Sequence, residues 1–495
     1  MKANNFRGKF AALMVAVSAA TLFAPSFAFA DDDDDRKDAR ILIFNLNEPG
    51  IGFNDPTPAT PVGGNAGTTV GQQRLNAFSY AAKLWSKQLE SKVPITIAAA
   101  FNPLPCSATG AVLGSAGANN AFADFPHAKK RGTWYNAALA NKIAKQTLVE
   151  PTGDPDFDAD IFAQFNANLG KSGCLTGSGF YLGLDANHGP LIDLVTVLLH
   201  EFGHGLGFQT FTSGLTGRQF LGMPHIWDHY LYDNTQKRTW VKMTDAQRQL
   251  SGINTRGLVW RGEEVTEAAP RVLALGVPEL HTVPNIATGA EILLGTATFG
   301  PVITSPGISA KVGKVVDQTN GTGLACNPLN ATNSAAVTGK IALVDRGACA
   351  FTVKVKNAQN AGALAVLVAD NVPGSPPAGL GGVDATITIP SVRLTNADGL
   401  SLKAALSAGQ VSATLSANLA RRNGTDKRGR VFLYTPNPFV RGSSVSHYDV
   451  STFPNQLMEF AISADLQHKV SPPADLTKSL LDDTGWDGDD DDDDD

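Results

Sequence analysis

The amino-acid sequence predicts an α+β fold interrupted by a long β-rich insertion, and three observations lead to that reading. Strand-like and helix-like runs of apolar residues alternate over the first third of the chain. One helix-forming stretch, 191–205, is apolar on nearly every side yet holds two histidines four residues apart. From 297 to 418 the composition shifts to Gly, Ala, Val, Asn and Thr in short alternating runs. Helices segregated from one sheet make an α+β lobe, and the change of texture marks a second unit set into it. The chain has 495 residues, whereas a single core rarely grows past about 250–300 residues.

The elements follow in order. Residues 1–30 carry Lys2, Arg7 and Lys9, then an apolar run from Ala11 to Ala24, then Ala28-Phe29-Ala30. That is the pattern of an export signal with a small-x-small cleavage site, and its apolar run falls short of the roughly 20 residues that span a bilayer. The expected location is secreted or periplasmic, with no membrane attachment after cleavage. An acidic linker, 31–40, precedes Ile41-Leu42-Ile43-Phe44, which reads as a buried strand. Between Gly71 and Ser91, Leu75, Phe78, Ala82, Trp85 and Leu89 recur at helical spacing. Ile95-Thr96-Ile97 and Ala159 to Asn166 read as further strands. In the 191–205 helix, Asp193 suits the positive end of the helix dipole, and Gly203, Gly205 and Gly207 weaken and stop it. Further on, Gly339 to Gly347 reads as a strand entering a turn, Val353 to Ala361 as a helix and Ala363 to Ala369 as a second strand.

Charge excludes some functions. The formal net charge of −6 resides in two acidic runs, Asp31–Asp35 and Asp487 with Asp489–Asp495, and the chain between them is close to balanced. Nucleic-acid binding needs a clustered basic face, and none is present. The acidic runs lack the spaced ligands and glycine of a calcium loop; they read as solvated tails, and calcium binding has no support. Four cysteines in an exported chain favour two disulfides. Cys106–Cys174 and Cys326–Cys349 keep each pair inside one expected unit.

The chemistry is expected in His200-Glu201-Phe202-Gly203-His204. Histidines at i and i+4 project from one helix face and share a cation, and the intervening glutamate is placed to act as general base on a water. A catalytic zinc commonly has three protein ligands. A compact motif would put the third histidine at 210, where this chain has Thr. The candidates are His225, Asp228 and His229 nearby, and His447 far downstream in Ser446-His447. His188, just before the helix, fits a loop or rim role.

Two resemblances bear on these choices. The stretch 297–418 contains Cys349-Ala350-Phe351, Lys354, Asn357-Ala358-Gln359, Ala361-Gly362-Ala363 and Ile389-Pro390-Ser391-Val392. It resembles the protease-associated domain, a β-rich module found inserted in secreted peptidases, which implies a substrate-gating or purely structural part. The active helix and the last 45 or so residues resemble leishmanolysin-type metzincins. The likeness rests on Gly205-Leu206-Gly207-Phe208, Ser446-His447, Met458 eleven residues on, and the closing run Leu476-Thr477 to Leu480-Leu481-Asp482-Asp483-Thr484-Gly485-Trp486. The resemblance implies a metzincin-type zincin with one catalytic zinc ion on His200, His204 and His447, Glu201 as general base, and Met458 as a hydrophobic floor. Phe460 stands where some metzincins carry a tyrosine, so a donor for the transition state is unassigned.

The expected organisation is therefore a catalytic domain in two parts, 41–296 and 419–486, split by the protease-associated domain at 297–418, with an acidic tail at 487–495. The expected activity is zinc-dependent endopeptidase action on proteins or large peptides. The rivals are a catalytically inactive secreted binding protein on the same fold, and a zinc hydrolase of another clan with Asp228 as third ligand.

Overall fold

The computed structural model describes residues 38–488. The expected export signal, most of the acidic linker and nearly all of the acidic tail lie outside these described residues.

The first lobe is built on a four-stranded sheet. Strand β1 (Ile41–Asn45) leads to helix α1 (Val70–Ser86), which Thr69 caps by accepting the Gln72 N–H. Strands β2 (Ile95–Asn102) and β3 (Gly114–Ala118) follow, then helix α2 (Ala137–Ala144) and strand β4 (Ile161–Asn166). The order is β1-β2-β4-β3, with β3 the antiparallel edge of an otherwise parallel sheet. Helix α1 buries Ala77, Phe78, Ala81, Ala82 and Trp85, one face at helical spacing. It ends before Leu89, which is buried in the turn towards β2, and Leu75 points outward.

Helix α3 (Leu194–Leu206) is the motif helix. It starts three residues later than the sequence pattern suggests, because Ile192-Asp193 pairs as a short strand with Phe180-Tyr181. Asp193 is its N-cap, accepting from the Val195 N–H and the Thr196 hydroxyl. Every residue of α3 is buried, and Trp85 and Trp486 donate their indole N–H groups to its Leu199 and Leu206 carbonyls.

The intervening chain forms a separate seven-stranded sheet. Its strands are β5 (Leu275–Val283), β6 (Leu294–Thr296), β7 (Ile308–Lys314), β8 (Ile341–Asp345), β9 (Ala365–Ala369), β10 (Ser391–Leu394) and β11 (Ser412–Arg422). The order is β5-β11-β7-β8-β9-β10-β6, parallel from β7 to β10 and antiparallel at both sides. Parallel neighbours need crossover connections, and helices Ala331–Val337 and Phe351–Asn360 supply two of them. The unit is thus mixed α/β in place of the simply β-rich insertion expected, and its sheet runs past 297–418 at both ends.

One apolar core of the first lobe draws on residues from Ala39 to Leu273 and again from Val431 to Trp486, while two further clusters lie between Leu280 and Leu415. The ends of the inserted sheet meet: Leu275 pairs with Arg422, and Asn423 N–H donates to the Ala274 carbonyl at 3.0 Å. A second contact joins the two units. Ser375 and Asn437 exchange backbone hydrogen bonds at 2.9 and 2.7 Å, and the Thr255 hydroxyl reaches both the Ser375 and the Thr435 carbonyls. Cys106–Cys174 and Cys326–Cys349 are the two disulfides, as the sequence favours.

Candidate metal centre

His200 and His204 lie one turn apart on α3, and His447 is brought to them by a two-stranded ribbon. In that ribbon Leu433 opposes Tyr448, Asp449 N–H donates to the Phe432 carbonyl, and Tyr434 N–H donates to the His447 carbonyl. The three Nε2 atoms form a near-equilateral triangle with sides of 3.1, 3.2 and 3.3 Å. Each ring is fixed from behind. His200 Nδ1 bonds the Leu457 carbonyl at 2.7 Å, His204 Nδ1 the Phe208 carbonyl at 2.7 Å, and His447 Nδ1 the Ser443 carbonyl at 2.8 Å.

These bonds decide the tautomer. A carbonyl only accepts, so each Nδ1 carries the proton and each Nε2 presents a bare lone pair. Three lone pairs aimed at one point repel one another, and a cation between them turns that repulsion into ligation. The spacing fits: a tetrahedral cation with bonds of about 2.0–2.1 Å sets its ligand nitrogens about 3.3 Å apart. Burial pushes His200 down to about 4 and His204 down to about 3, and takes His447 well below its ordinary range, so all three rings are neutral donors near pH 7. Among the described residues, these three form the one group of His, Cys, Asp or Glu side chains arranged to hold a metal ion.

Glu201, between the two helix histidines in sequence, is buried against the sheet edge. Burial pushes its pKa up to about 8, and the nearby Ala116 N–H of β3 offsets part of that rise. Gly114, also on β3, leaves room for it: a Cβ there would lie 3.0 Å from Glu201 Oε1.

Met458 is fully buried under α3. A Cβ on Gly203 would sit 2.9 Å from its sulfur, so this glycine makes room for the thioether. The helix instead stops at Gly207, whose φ of 132° suits only glycine. The loop carrying Met458 is tied to the chain's closing segment. Leu457 N–H donates to Asp475 at 2.6 Å, and Leu476 N–H donates to the Gln456 side chain at 3.0 Å.

The other candidates are engaged elsewhere. Asp228 accepts from the Thr210 and Thr212 hydroxyls and from its neighbour His225's N–H, tying down the loop after α3. His225 Nε2 meets Asn136 at 2.7 Å, and His229 Nε2 meets Thr133 at 3.1 Å. His188 bonds the Leu191 and Ala464 carbonyls beyond the start of α3. Phe460 stacks on Tyr434, ring centroids 4.5 Å apart and planes 12° apart. Sequence reasoning passed over Tyr434 and the Gly114–Ala118 strand. The first carries no local motif, and the second, Gly-Ser-Ala-Gly-Ala, has no apolar alternation to mark it.

Comparison with known proteins identifies one part of the chain. The family model for the PA domain matches residues 311–402. Among curated proteins, "Probable leucine aminopeptidase 2" of Arthroderma benhamiae is 32% identical over 130 residues, which is 26% of this chain and 24% of that protein. "Leucine aminopeptidase 2" of Trichophyton rubrum is 40% identical over 91 residues, 18% of each. "Minor extracellular protease Vpr" of Bacillus subtilis is 35% identical over 88 residues, 18% of this chain and 10% of that one. The chain thus spans a quarter or less of the length of these relatives. Among solved structures, a zinc aminopeptidase from Bacillus subtilis aligns with a TM-score of 0.22 and 24% identity, covering 31% of this chain and 36% of that one. No helix among the described residues is long and apolar enough to cross a membrane.

Proposed function

We propose that the protein is a zinc-dependent peptidase of metzincin type, exported from the cytoplasm, that cleaves within proteins or large peptides. The observation that carries the reading is the triangle of three Nε2 lone pairs, each ring held by a carbonyl behind it, with Glu201 beside it. His200, His204 and His447 are the residues that would hold the ion. A bound zinc ion supplies Lewis acidity to a water and to a peptide carbonyl.

The remaining chemistry belongs to the chain. Glu201 accepts the proton of the attacking water as the new carbon–oxygen bond forms, and returns it to the nitrogen as the carbon–nitrogen bond breaks. The carbonyls of Leu457, Phe208 and Ser443 keep the three rings in one orientation. Strand β3 is the open edge of its sheet and touches Glu201. An extended peptide pairing with that edge would pass the carboxylate, in the manner of strand addition. Asp228 is a poor rival as ligand, because both its oxygens already accept hydrogen bonds from the loop. Intact Glu201 argues against an inactive binding protein.

A second reading comes from the relatives, two of which are named as leucine aminopeptidases. One experiment separates the readings. Purified protein is assayed for zinc content and for cleavage of casein and of N-acetylated peptides, alongside Glu201→Gln. Endopeptidase action predicts cleavage of blocked peptides, loss of turnover in the variant and about one zinc per chain in both. Cleavage confined to free N-termini would replace it with the aminopeptidase reading, and wild-type turnover in the variant would remove Glu201 as base.

A further inference from the structure

Between the Met458 loop and the closing segment runs an irregular stretch, 461–469, none of whose residues is buried. With Tyr80 and Leu84 of α1 and the 184–187 loop it walls a cavity of about 760 Å³. Among the described residues its backbone N–H groups bond only locally, Leu466 to the Ser463 carbonyl and Lys469 to the Gln467 carbonyl. Asn455 holds Asp465 at 2.7 Å, and Ile462 packs on the core of the first lobe. The hydrogen bonds that cross to the residues leading into α3 come from two histidines. His188 Nε2 meets the Ala464 carbonyl at 3.2 Å, and His468 Nε2 meets Asp193 Oδ2 at 2.6 Å. The His468 ring also stands edge-on to Tyr80, ring centroids 5.8 Å apart.

Geometry sets the protonation of this seam. His188 faces a carbonyl at each ring nitrogen, Leu191 at Nδ1 and Ala464 at Nε2. Carbonyls only accept, so both nitrogens carry hydrogen, and only the imidazolium form has two N–H groups. In a neutral ring the shorter bond, 2.7 Å to Leu191, keeps the one proton, and Nε2 turns a lone pair on the Ala464 carbonyl. His468, set against a carboxylate, also binds best as a cation. The fastened stretch therefore holds a proton that the loose one does not need, and raising the pH favours release. The charged and titratable groups around the two rings are Tyr181 and Asp185, Asp193 at the start of α3, Tyr80 on α1, and Asp465 and Lys469 on the stretch itself. The Tyr181 hydroxyl holds Asp185 below the usual carboxylate range, and Asp185 pushes Tyr181 up to about 12. Neither changes charge between about pH 5 and 8, where histidines do.

We infer that 461–469 is a pH-sensitive strap, which His188 and His468 fasten across the start of α3 and over the cavity when protonated and release when neutral. The inference does not rest on the peptidase reading, because no step of hydrolysis enters it. Asp193 caps α3 in both states through the Val195 N–H and the Thr196 hydroxyl. What changes is access to the cavity and the slack in the chain just past Met458.

The test is tryptic cleavage after Lys469 in the full-length protein at about pH 6 and about pH 8. The rate at each pH is divided by the rate on a synthetic peptide spanning 459–471, which removes the pH dependence of trypsin. A reaction without trypsin subtracts self-cleavage, and zinc content is checked at both pH values. The relative rate should rise about tenfold from the lower to the higher pH, while cleavage after Lys314 in the inserted sheet keeps its relative rate. His188→Gln combined with His468→Gln puts neutral amide donors at both points, and its relative rate should change less than about twofold. Equal relative rates in the wild type would overturn the inference, whether or not the double variant folds. A tenfold rise that persists in the double variant, or one shared by Lys314, would overturn it as well.

Discussion

Replacing Asp475 by asparagine would show how far the histidine cluster depends on a residue that never touches it. Asp475 is buried, with one oxygen accepting the Leu457 N–H at 2.6 Å and the other the Thr477 N–H at 2.7 Å and the Thr477 hydroxyl. The Leu457 carbonyl in turn holds His200 Nδ1 at 2.7 Å. Asparagine has the same shape but one acceptor oxygen. Either the Leu457 or the Thr477 N–H must then face an amide N–H. A buried donor left without an acceptor costs about 1–3 kcal/mol, and hydrogen bonds to a charged group contribute about 1.5–3 kcal/mol each. Burial pushes the Asp475 pKa up, so removing the charge returns part of that loss. The net expectation is a destabilisation of about 2 kcal/mol, or a melting shift of roughly 4–8 °C. Because the disturbed loop supports His200 from behind, zinc affinity should weaken by about tenfold or more. Thermal melting and competition with a chelator measure the two effects. A variant that melts within about 1 °C of wild type and binds zinc equally would refute the coupling.

Three further outcomes follow from the same geometry. His447→Ala should lose stoichiometric zinc, whereas Asp228→Ala should keep it while losing about 1–3 kcal/mol from the loop at Thr210 and Thr212; metal analysis and melting separate the two. Metal removal should speed amide hydrogen exchange at Ser446–Met458 more than in strand β9 of the inserted sheet, since only the former is tied to the cluster. Replacing 276–421 with a two-glycine linker should leave a folded, zinc-binding first lobe, because Leu275 and Arg422 are already paired; a product that aggregates or holds no zinc would make the inserted sheet part of the lobe's folding unit.

Legibility in the sequence tracked how local the determining interaction was. His200, Glu201 and His204 could be read because helical spacing alone sets their faces. His447 was found through its neighbours, the Ser-His pair and the Met eleven residues on, and the structure brings it to the cluster. The start of α3 was misread because Ile192-Asp193 answers to Phe180-Tyr181, a pairing no local pattern records. Strand β5 was missed for a related reason. It contains Pro278, which a strand tolerates at a sheet edge, and only its pairing with β11 defines it. Gly203 carries a role that local pattern could not record: it makes room for a sulfur 255 positions away in the chain, on Met458.

The distance between the second and third histidines also sets a timetable. His447 follows His204 by 243 residues, with an entire second sheet between them. At roughly 5–20 residues per second of synthesis, the ribosome needs on the order of 10–50 seconds to travel from one to the other. Throughout that interval α3 has neither its third imidazole, nor the thioether beneath Gly203, nor the Leu457 carbonyl behind His200. The nascent chain therefore lacks the full three-histidine cluster until His447 has been made, and lacks the Leu457 and Met458 supports for about ten residues more.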